Sequence, residues 1–195
     1  MSISLQKGQK VNLSKDNAGL SKVIVGLGWD EVKQPKGLFF RKAQAIDCDA
    51  SAVLLKNGSL CSKEDIIYFG NLVNRTKTVQ HMGDNLTGGG EGDDEQIMVD
   101  LVNIPAEYDK IVIVVNIYQA VQRKQHFGMI QNAFVRLVDT HNHKEMCKYN
   151  LTENYSDMTA MIFCEIYRDN GEWKFNAIGQ GTTDASIGEL VRRYQ

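Results

Sequence analysis

The segment from Gly83 to Glu95 carries the side chains of this sequence that are best suited to chemistry. Within thirteen residues it holds five carboxylates, one carboxamide and five glycines, and it contains no Lys or Arg. Carboxylates so close together repel one another, and Ca²⁺ resolves that repulsion because carboxylate, amide and main-chain oxygens supply its about six to eight ligands. Glycine adopts positive φ angles at no steric cost, so the backbone can turn carbonyl groups toward an ion. The candidate ligands in this segment are Asp84, Asn85, Glu91, Asp93, Asp94 and Glu95.

A second pair of carboxylates, Asp47 and Asp49, lies in a segment with the alternating pattern of a β-strand. Residues two apart share one face of a strand, so both carboxylates point the same way while Ile46 and Cys48 point into the core. If this strand adjoins the acidic segment, the pair completes the coordination of one or two calcium ions. An outward-facing polar edge is the alternative explanation of the pair. Asp30, at the end of another strand-like run, is a further candidate ligand.

The acidic segment does not match the calcium loop of an EF-hand. Counted from Asp84, Gly89 and Glu95 fall at positions 6 and 12 as required, but positions 3 and 5 are Leu and Gly in place of Asp or Asn. Mg²⁺ fits less well, because it needs octahedral geometry and usually a phosphate partner. Zn²⁺ fits badly, because His81 is the only soft ligand nearby. A solvated acidic surface loop is the non-functional alternative, and the spacing of the glycines favours metal binding over it.

Charge is distributed unevenly along the chain, although the net charge is only −2. Between Met82 and Asp109 there are eight acids and no Lys or Arg, whereas the rest of the chain carries 22 basic side chains against 16 acids. A total so close to zero argues against a general nucleic-acid binder. The first residues form no apolar signal segment, and no run approaches the about 18 apolar residues of a membrane span. We therefore expect a cytoplasmic protein with no transmembrane segment, whose four scattered cysteines are reduced and structural.

The sequence favours a non-enzymatic protein over an enzyme. General acid catalysis by paired carboxylates needs one carboxyl with a raised pKa in an apolar pocket, and a glycine-rich loop argues against such a pocket. The run Gly88 to Gly90 lacks the Lys and the Ser or Thr of a phosphate-binding loop. The alternative that stays open is a metal-dependent hydrolase or phosphoryl-transfer enzyme that uses the same carboxylates with Mg²⁺. A further alternative is calcium-bridged docking on lipid.

Strands are the main elements that must position these residues. Short runs rich in Val, Ile, Phe, Tyr and Trp alternate with polar residues and are bounded by Gly, Asn, Asp or Lys. Asn170-Gly171 supplies the positive φ angles of a tight hairpin between two of these runs. The predicted strands are Leu5 to Val11, Val23 to Trp29, Gln44 to Leu55, Ile66 to Phe69, Ile97 to Leu101, Ile111 to Tyr118, Ala133 to Val138, Met146 to Leu151, Thr159 to Tyr167 and Trp173 to Ile178.

Helical patterns are few. At the C-terminus, apolar residues spaced i, i+3, i+4, i+7 from Ile187 to Tyr194 follow a capping box formed by Ser186 and Glu189. A second short helix is predicted within Ala120 to Met129. Strands without βαβ alternation predict a mainly β fold, a two-sheet β-sandwich with a C-terminal helix and one or two short helices, in a single domain over residues 1–195.

Several motifs along the chain carry a resemblance to one protein family, and they are Val25 to Asp30, Asp47 to Ala52, Gly83 to Gly88, Gly92 to Glu95, Phe127-Gly128 with Asn132 to Phe134, Ala160 to Phe163 and Gly171 to Phe175. In these motifs the sequence resembles the TerD family of tellurium-resistance and stress proteins. The resemblance runs from about Leu5 to Tyr194, and the acidic glycine loop is its most specific part. One departure lies at Ala45, where many members have a further Asp two residues before Asp47.

The resemblance implies a calcium-binding β-sandwich in the bacterial cytoplasm, tied to tellurite, oxidative and chemical stress. It also implies cytoplasmic partners and a membrane-embedded partner at the inner face of the membrane. From the charge balance we expect no nucleic-acid partner. We expect the acidic loop to become ordered when Ca²⁺ binds and so to form a docking surface. The metal ligands that the resemblance carries over are Asp47, Asp49, Asp84, Asn85, Glu91, Asp93, Asp94 and Glu95.

Overall fold

The structure is a computed structural model that describes residues 2–17, 19–31, 45–83 and 92–195. Within these ranges twelve strands account for most of the regular structure. The strands are β1 (Ile3–Leu5), β2 (Lys10–Asn12), β3 (Lys22–Glu31), β4 (Cys48–Leu55), β5 (Ile66–Ile67), β6 (Val79–His81), β7 (Glu95–Asp100), β8 (Lys110–Ile117), β9 (Ile130–Asp139), β10 (Lys144–Asn150), β11 (Ala160–Asp169) and β12 (Glu172–Thr182).

Helices in the described ranges are single turns. Three are α-helical and three are 3₁₀-helical, and the last two are continuous along the chain. They are α1 (Leu13–Asp16), α2 (Ala120–Arg123) and α3 (Ile187–Leu190), with 3₁₀ turns at Lys63–Asp65, Phe127–Met129 and Val191–Tyr194.

The strands form two six-stranded sheets. Sheet A has the order β1-β10-β9-β3-β7-β6, and sheet B has the order β2-β12-β11-β8-β4-β5. All pairings in the two sheets are antiparallel except that of β1 with β10. The predicted mainly β, two-sheet sandwich is therefore confirmed.

The main core lies between the two sheets and is built by alternation. On β3, for example, Val23, Val25 and Leu27 are buried in that core, while the residues between them face the other side of the sheet. The central strand β8 is buried on both faces, as its apolar run predicts. A second apolar cluster on the outer face of sheet B joins Val112 and Val114 to Leu190 of the C-terminal helix.

Two predicted local features are confirmed in detail. The turn between β11 and β12 has φ angles of 53° at Asn170 and 79° at Gly171, the positive values that a tight hairpin needs. Helix α3 begins after Ser186, whose side chain accepts the backbone N–H of Glu189 at 3.3 Å. The Glu189 carboxylate accepts the N–H of Ala185 at 2.8 Å, one residue earlier than in a standard capping box.

The structure corrects three predicted boundaries. The run Leu5 to Val11 is not one strand, because a turn at Gly8 with φ 80° sends β1 into sheet A and β2 into sheet B. The predicted helix Ala120 to Met129 is two separate turns, since Lys124 adopts a left-handed conformation with φ 53° between them. The strand predicted from Gln44 begins at Cys48, and Gln44 itself lies outside the described residues.

Strand β6 was missed because three residues are too short for a periodic pattern. It matters for the site, since β6 and β7 flank the acidic segment. Among the described residues, no helix has the length and the apolar character needed to cross a bilayer.

Candidate metal centre

The acidic segment connects β6 to β7 at one end of sheet A. Of its predicted ligands, Asp84, Asn85 and Glu91 lie outside the described residues. The structure describes the chain again from residue 92, the last part of the segment before β7. It therefore shows the environment of three predicted ligands. These are Asp93, Asp94 and Glu95, and each has a different environment.

Asp93 is held by an arginine on the outer face of sheet A. Its Oδ1 accepts Arg136 Nε at 2.7 Å, and its Oδ2 accepts Arg136 Nη2 at 3.2 Å and Gln96 Nε2 at 3.0 Å. The carboxylate side chain is 1% exposed. This ion pair raises the pKa of Arg136, chiefly through the hydrogen bonds to Asp93. Asp93 is therefore already neutralised by the protein itself.

Two glycines in β3 make room for this arrangement. A Cβ added to Gly26 would lie 2.2 Å from Asp93 Oδ2, and one added to Gly28 would lie 2.5 Å from the ring of Phe134. Distances under 3.0 Å do not occur for real Cβ atoms. Glycine inside a strand commonly marks the close approach of another group, and here it admits a carboxylate and an aromatic ring.

Asp94 lies one residue before β7 and extends the hydrogen bonding of that strand with β3. Its backbone N–H donates to Leu27 O at 2.7 Å, and its Oδ2 accepts the backbone N–H of Trp29 at 2.8 Å. The side chain thus supplies an acceptor at the bulge where β3 shifts its register against β9. Burial raises the pKa of Asp94, the Trp29 hydrogen bond opposes this effect, and the neighbouring acids Asp30 and Asp93 raise the pKa further.

Glu95 points into the interior of the sandwich and pairs with His81 of β6. The Glu95 Oε2 to His81 Nε2 distance is 2.8 Å, and the two side chains are 0% and 1% exposed. On its other side, His81 Nδ1 accepts the N–H of Gly83 at 3.2 Å, which orients the imidazole with Nε2 toward Glu95. The pair joins the two strands on either side of the acidic segment.

A cavity of about 520 Å³ lies beside the exit of the acidic segment. Asp30 and Asp94 line it on one side, and Asn132 donates to Asp30 at 2.8 Å. Asn132 has φ 54°, a left-handed conformation at the start of β9. Lys148 also lines the cavity, and its ammonium lies 3.8 Å from the ring centroid of Phe134.

The pair Asp47 and Asp49 lies at the start of β4 in sheet B. Ile46 and Cys48 are in the main core, as predicted. Asp49 is 6% exposed and accepts Asn116 Nδ2 at 3.4 Å, so it is not part of an exposed polar edge. Asp47 lies 4.0 Å from the guanidinium of Arg123.

No three His, Cys, Asp or Glu side chains within ranges 2–17, 19–31, 45–83 and 92–195 are arranged to hold a metal ion. The described ligands are brought together only as neighbours along the chain at 93–95. Sequence reasoning missed the partners Arg136, His81 and Gln96, which decide the environment of these acids. The two glycines of β3 were a usable signal, because glycine inside a buried strand pattern points to a close approach.

Comparison with known proteins identifies the family of this chain. The sequence model of the family described as TerD domain matches residues 1–194. Stress response protein SCP2 of Bacillus subtilis (strain 168) is 56% identical over 100% of both chains. Tellurium resistance protein TerD of Serratia marcescens is 48% identical over 93% of this chain and 91% of its own length. The resemblance seen in the sequence motifs is thereby confirmed.

Solved structures support the fold. The crystal structure of a homologue of telluride resistance protein (TerD) from Streptomyces coelicolor A3(2) superposes with a TM-score of 0.63. The alignment covers 88% of this chain and 98% of that one, at 19% sequence identity. At this identity the likeness concerns the fold alone.

Proposed function

The chain belongs to the TerD domain family, and we propose that it is a calcium-binding, non-enzymatic stress-response protein. The names of its relatives, stress response protein and tellurium resistance protein, support the stress-response role. The observation that carries the calcium role is the cavity at the exit of the acidic segment, which Asp30 and Asp94 line together with amide and hydroxyl side chains.

The donor groups in this cavity fit calcium by their chemistry. Asp30, Asp94, Asn132, Asn150 and Thr152 all offer oxygen atoms, and none of the described lining residues is a Cys or His. Burial and the nearby acids Asp30 and Asp93 disfavour the ionised form of Asp94 and raise its pKa. A cation would relieve that repulsion, because an opposite charge within a few ångströms favours the carboxylate.

The proposed ligand set combines this cavity with the carboxylates predicted from the sequence. Among the described residues of the segment, Asp94 is the proposed ligand, and Asp84, Asn85 and Glu91 are ligands proposed from the sequence. Asp47 and Asp49 are proposed as ligands of a second calcium ion. When bound, calcium would supply positive charge to a segment that holds five carboxylates and contains no Lys or Arg of its own.

Docking is the proposed consequence of calcium binding. Neutralising several carboxylates changes the local charge of the surface that a partner meets, so a partner could distinguish the two charge states. We propose cytoplasmic and membrane-embedded partners at the inner membrane face. Direct bridging to lipid is the competing explanation, and co-sedimentation with vesicles of anionic phospholipid only in the presence of calcium would favour it.

Isothermal titration calorimetry with CaCl₂ and with MgCl₂ tests the metal. We expect calcium to bind more tightly than magnesium, and Asp94→Asn to weaken calcium binding about tenfold or more because a charged ligand is lost. Asp157→Asn is the matched control, since Asp157 is exposed and already occupies the left-handed region that Asn tolerates. Absence of calcium binding to the unmodified chain would refute the proposal.

The enzymatic alternative makes a different prediction. A metal-dependent hydrolase or phosphoryl-transfer enzyme should bind magnesium more tightly than calcium and should turn over a generic phosphoester. Turnover should then disappear in Asp94→Asn. In the described part of the segment, Asp93 is engaged by Arg136 and Glu95 is in contact with His81, so two of its three carboxylates already have partners within the protein.

A further inference from the structure

We propose that Asp93 is a positioning residue, whose carboxylate anchors the exit of the acidic segment in a socket on sheet A and does not ligate calcium. The socket consists of Gly26, Arg136 and Gln96. The inference rests on the proposed function for its calcium readout, and it assigns to Asp93 a role that differs from its predicted one as a ligand.

The socket follows from the register of sheet A. Gly26 of β3 pairs with Arg136 of β9 on one side and with Gln96 of β7 on the other. Directly paired residues on neighbouring strands point to the same face of the sheet. Because Gly26 has no side chain, a gap is left on that face between the side chains of Arg136 and Gln96. The carboxylate of Asp93 fills this gap, at the position where a Cβ of residue 26 would lie.

Both oxygens of the carboxylate are engaged within the socket. Arg136 donates from Nε and Nη2 at 2.7 and 3.2 Å, a two-pronged contact that fits a carboxylate in geometry and in charge. Gln96 adds a third donor at 3.0 Å. Arg136 is itself oriented by Glu145, whose Oε2 lies 3.4 Å from Nη1. A metal ion at Asp93 would have to compete with these three donors for the lone pairs of the carboxylate.

Anchoring Asp93 places the next residue. With the Asp93 side chain fixed over Gly26, the N–H of Asp94 reaches Leu27 O and its carboxylate reaches the N–H of Trp29. Asp94 then lines the cavity of about 520 Å³ that carries the proposed calcium function. Groups that orient metal ligands without touching the metal commonly contribute about 10–100-fold to metal affinity.

The substitution Arg136→Gln separates the two roles by the sign of its effect. If Asp93 is an anchor, loss of the guanidinium frees the exit of the segment and weakens calcium binding about tenfold, the lower end of such effects. If Asp93 is a ligand that Arg136 holds back, the same substitution releases it and tightens binding. Calcium titration calorimetry measures the direction. Arg192→Gln, which removes the same charge from an exposed site, is the control and should leave the affinity unchanged.

Further variants distinguish positioning from general structural damage. Asp93→Asn should weaken calcium binding by about the same factor as Arg136→Gln, and the double variant should be no weaker, because both remove one contact. Arg136→Lys keeps the charge but loses the two-pronged geometry, and it should restore only part of the affinity. The number of ions bound should not change. Tighter or unchanged binding in Arg136→Gln, or one ion fewer in Asp93→Asn, would overturn the proposal.

A chelator experiment keeps the anchor testable if the unmodified chain binds no calcium. In that case the proposed function fails, and the anchor is judged by thermal unfolding in EDTA. Asp93→Asn and Arg136→Gln should each lower the melting temperature, and their effects should not add in the double variant. Additive effects, or no effect of either variant, would refute the anchor as well.

Discussion

The outer faces of the two sheets differ in polarity and in what covers them. The outer face of sheet B is apolar and covered, since Val53, Val112 and Val114 pack against Leu190 and Val191 of the C-terminal turns. The outer face of sheet A carries charged and polar side chains, and two glycines of β3 leave space on it for Asp93 and Phe134. The C-terminal turns cover the outer face of sheet B, and the end of the acidic segment packs on the outer face of sheet A.

The apolar outer face of sheet B contributes to stability, whereas the polar outer face of sheet A also bears on the proposed calcium binding. Burial of apolar area on sheet B stabilises the sandwich without involving a charged group. On sheet A the carboxylates at the segment exit are each held by a specific partner, Asp93 by Arg136 and Glu95 by His81. Changes on the outer face of sheet B should therefore alter the free energy of unfolding alone, whereas changes around the segment exit on sheet A should alter both this free energy and calcium affinity.

The largest effect is expected from His81→Ala. This substitution removes the imidazole whose Nε2 lies 2.8 Å from the buried Glu95 carboxylate, and breaking such a buried pair costs about 4 kcal/mol. Chemical denaturation should show the loss, and calcium affinity should fall too, because His81 and Glu95 join the strands that flank the segment. Glu95→Gln should cost clearly less, since it leaves no unpaired charge in the interior. Equal losses in the two variants would contradict this explanation.

Leu190→Ala should come next and should affect stability alone. Leu190 is fully buried against sheet B, so its truncation leaves a cavity that costs about 3 kcal/mol. The control is Leu72→Ala at a half-exposed site, where the loss should stay below about 1 kcal/mol. A weaker calcium affinity in folded Leu190→Ala would show that the two faces are not independent.

Gly26→Ala should have a smaller effect on stability and a clear effect on binding. The new methyl group would occupy the position of the Asp93 carboxylate and expel it, at a cost of about 2 kcal/mol in charge-assisted hydrogen bonds. The matched control is Gly188→Ala, where the nearest atom lies at 3.7 Å and the methyl group has room. Unfolding curves that are the same for both variants would refute the socket.

The smallest effect is expected at the far end of β7, where Asp100 has a purely structural role. Burial disfavours the Asp100 carboxylate, but hydrogen bonds from Asn103 and Lys22 outweigh burial and hold its pKa below the usual value. The resulting stability is present above the pKa of Asp100 in the unfolded chain, which is about 3.9. It is lost as the pH falls through the lower pKa that Asp100 has in the folded chain.

Asp100→Asn should therefore cost about 1 kcal/mol at pH 7 and nothing below the folded pKa of Asp100. Denaturation curves at a series of pH values measure this difference, with and without calcium. A calcium-dependent difference would show that the structural and metal-binding parts of sheet A are coupled along β7.

The fold was largely predictable because alternation and turn chemistry are local signals. The hairpin at Asn170-Gly171 and the buried strand β8 were both readable from composition and spacing. The separation of β1 from β2 was not, because either strand alone satisfies the same alternation and only pairing with β10 or β12 decides its sheet.

The candidate site was predictable in its acids but not in its partners. The acidic segment is conspicuous in sequence, whereas Arg136 and His81 come from strands distant along the chain or too short to recognise. Their contacts depend on the register of sheet A, which no local pattern specifies. A carboxylate that repels its neighbours in the sequence can thus be a neutralised anchor in the fold, as Asp93 is beside Arg136.

Thermal unfolding in EDTA and in excess calcium tests the central claim, that calcium binds the acidic segment of the folded chain. At a calcium concentration a hundredfold above the dissociation constant, the folded state should gain about 2.7 kcal/mol, seen as a rise in the melting temperature. Asp94→Asn, with calcium binding about tenfold weaker or more, should lose about half of that rise or more, and Asp157→Asn should keep it. A melting temperature that is the same in EDTA and in millimolar calcium would contradict the account.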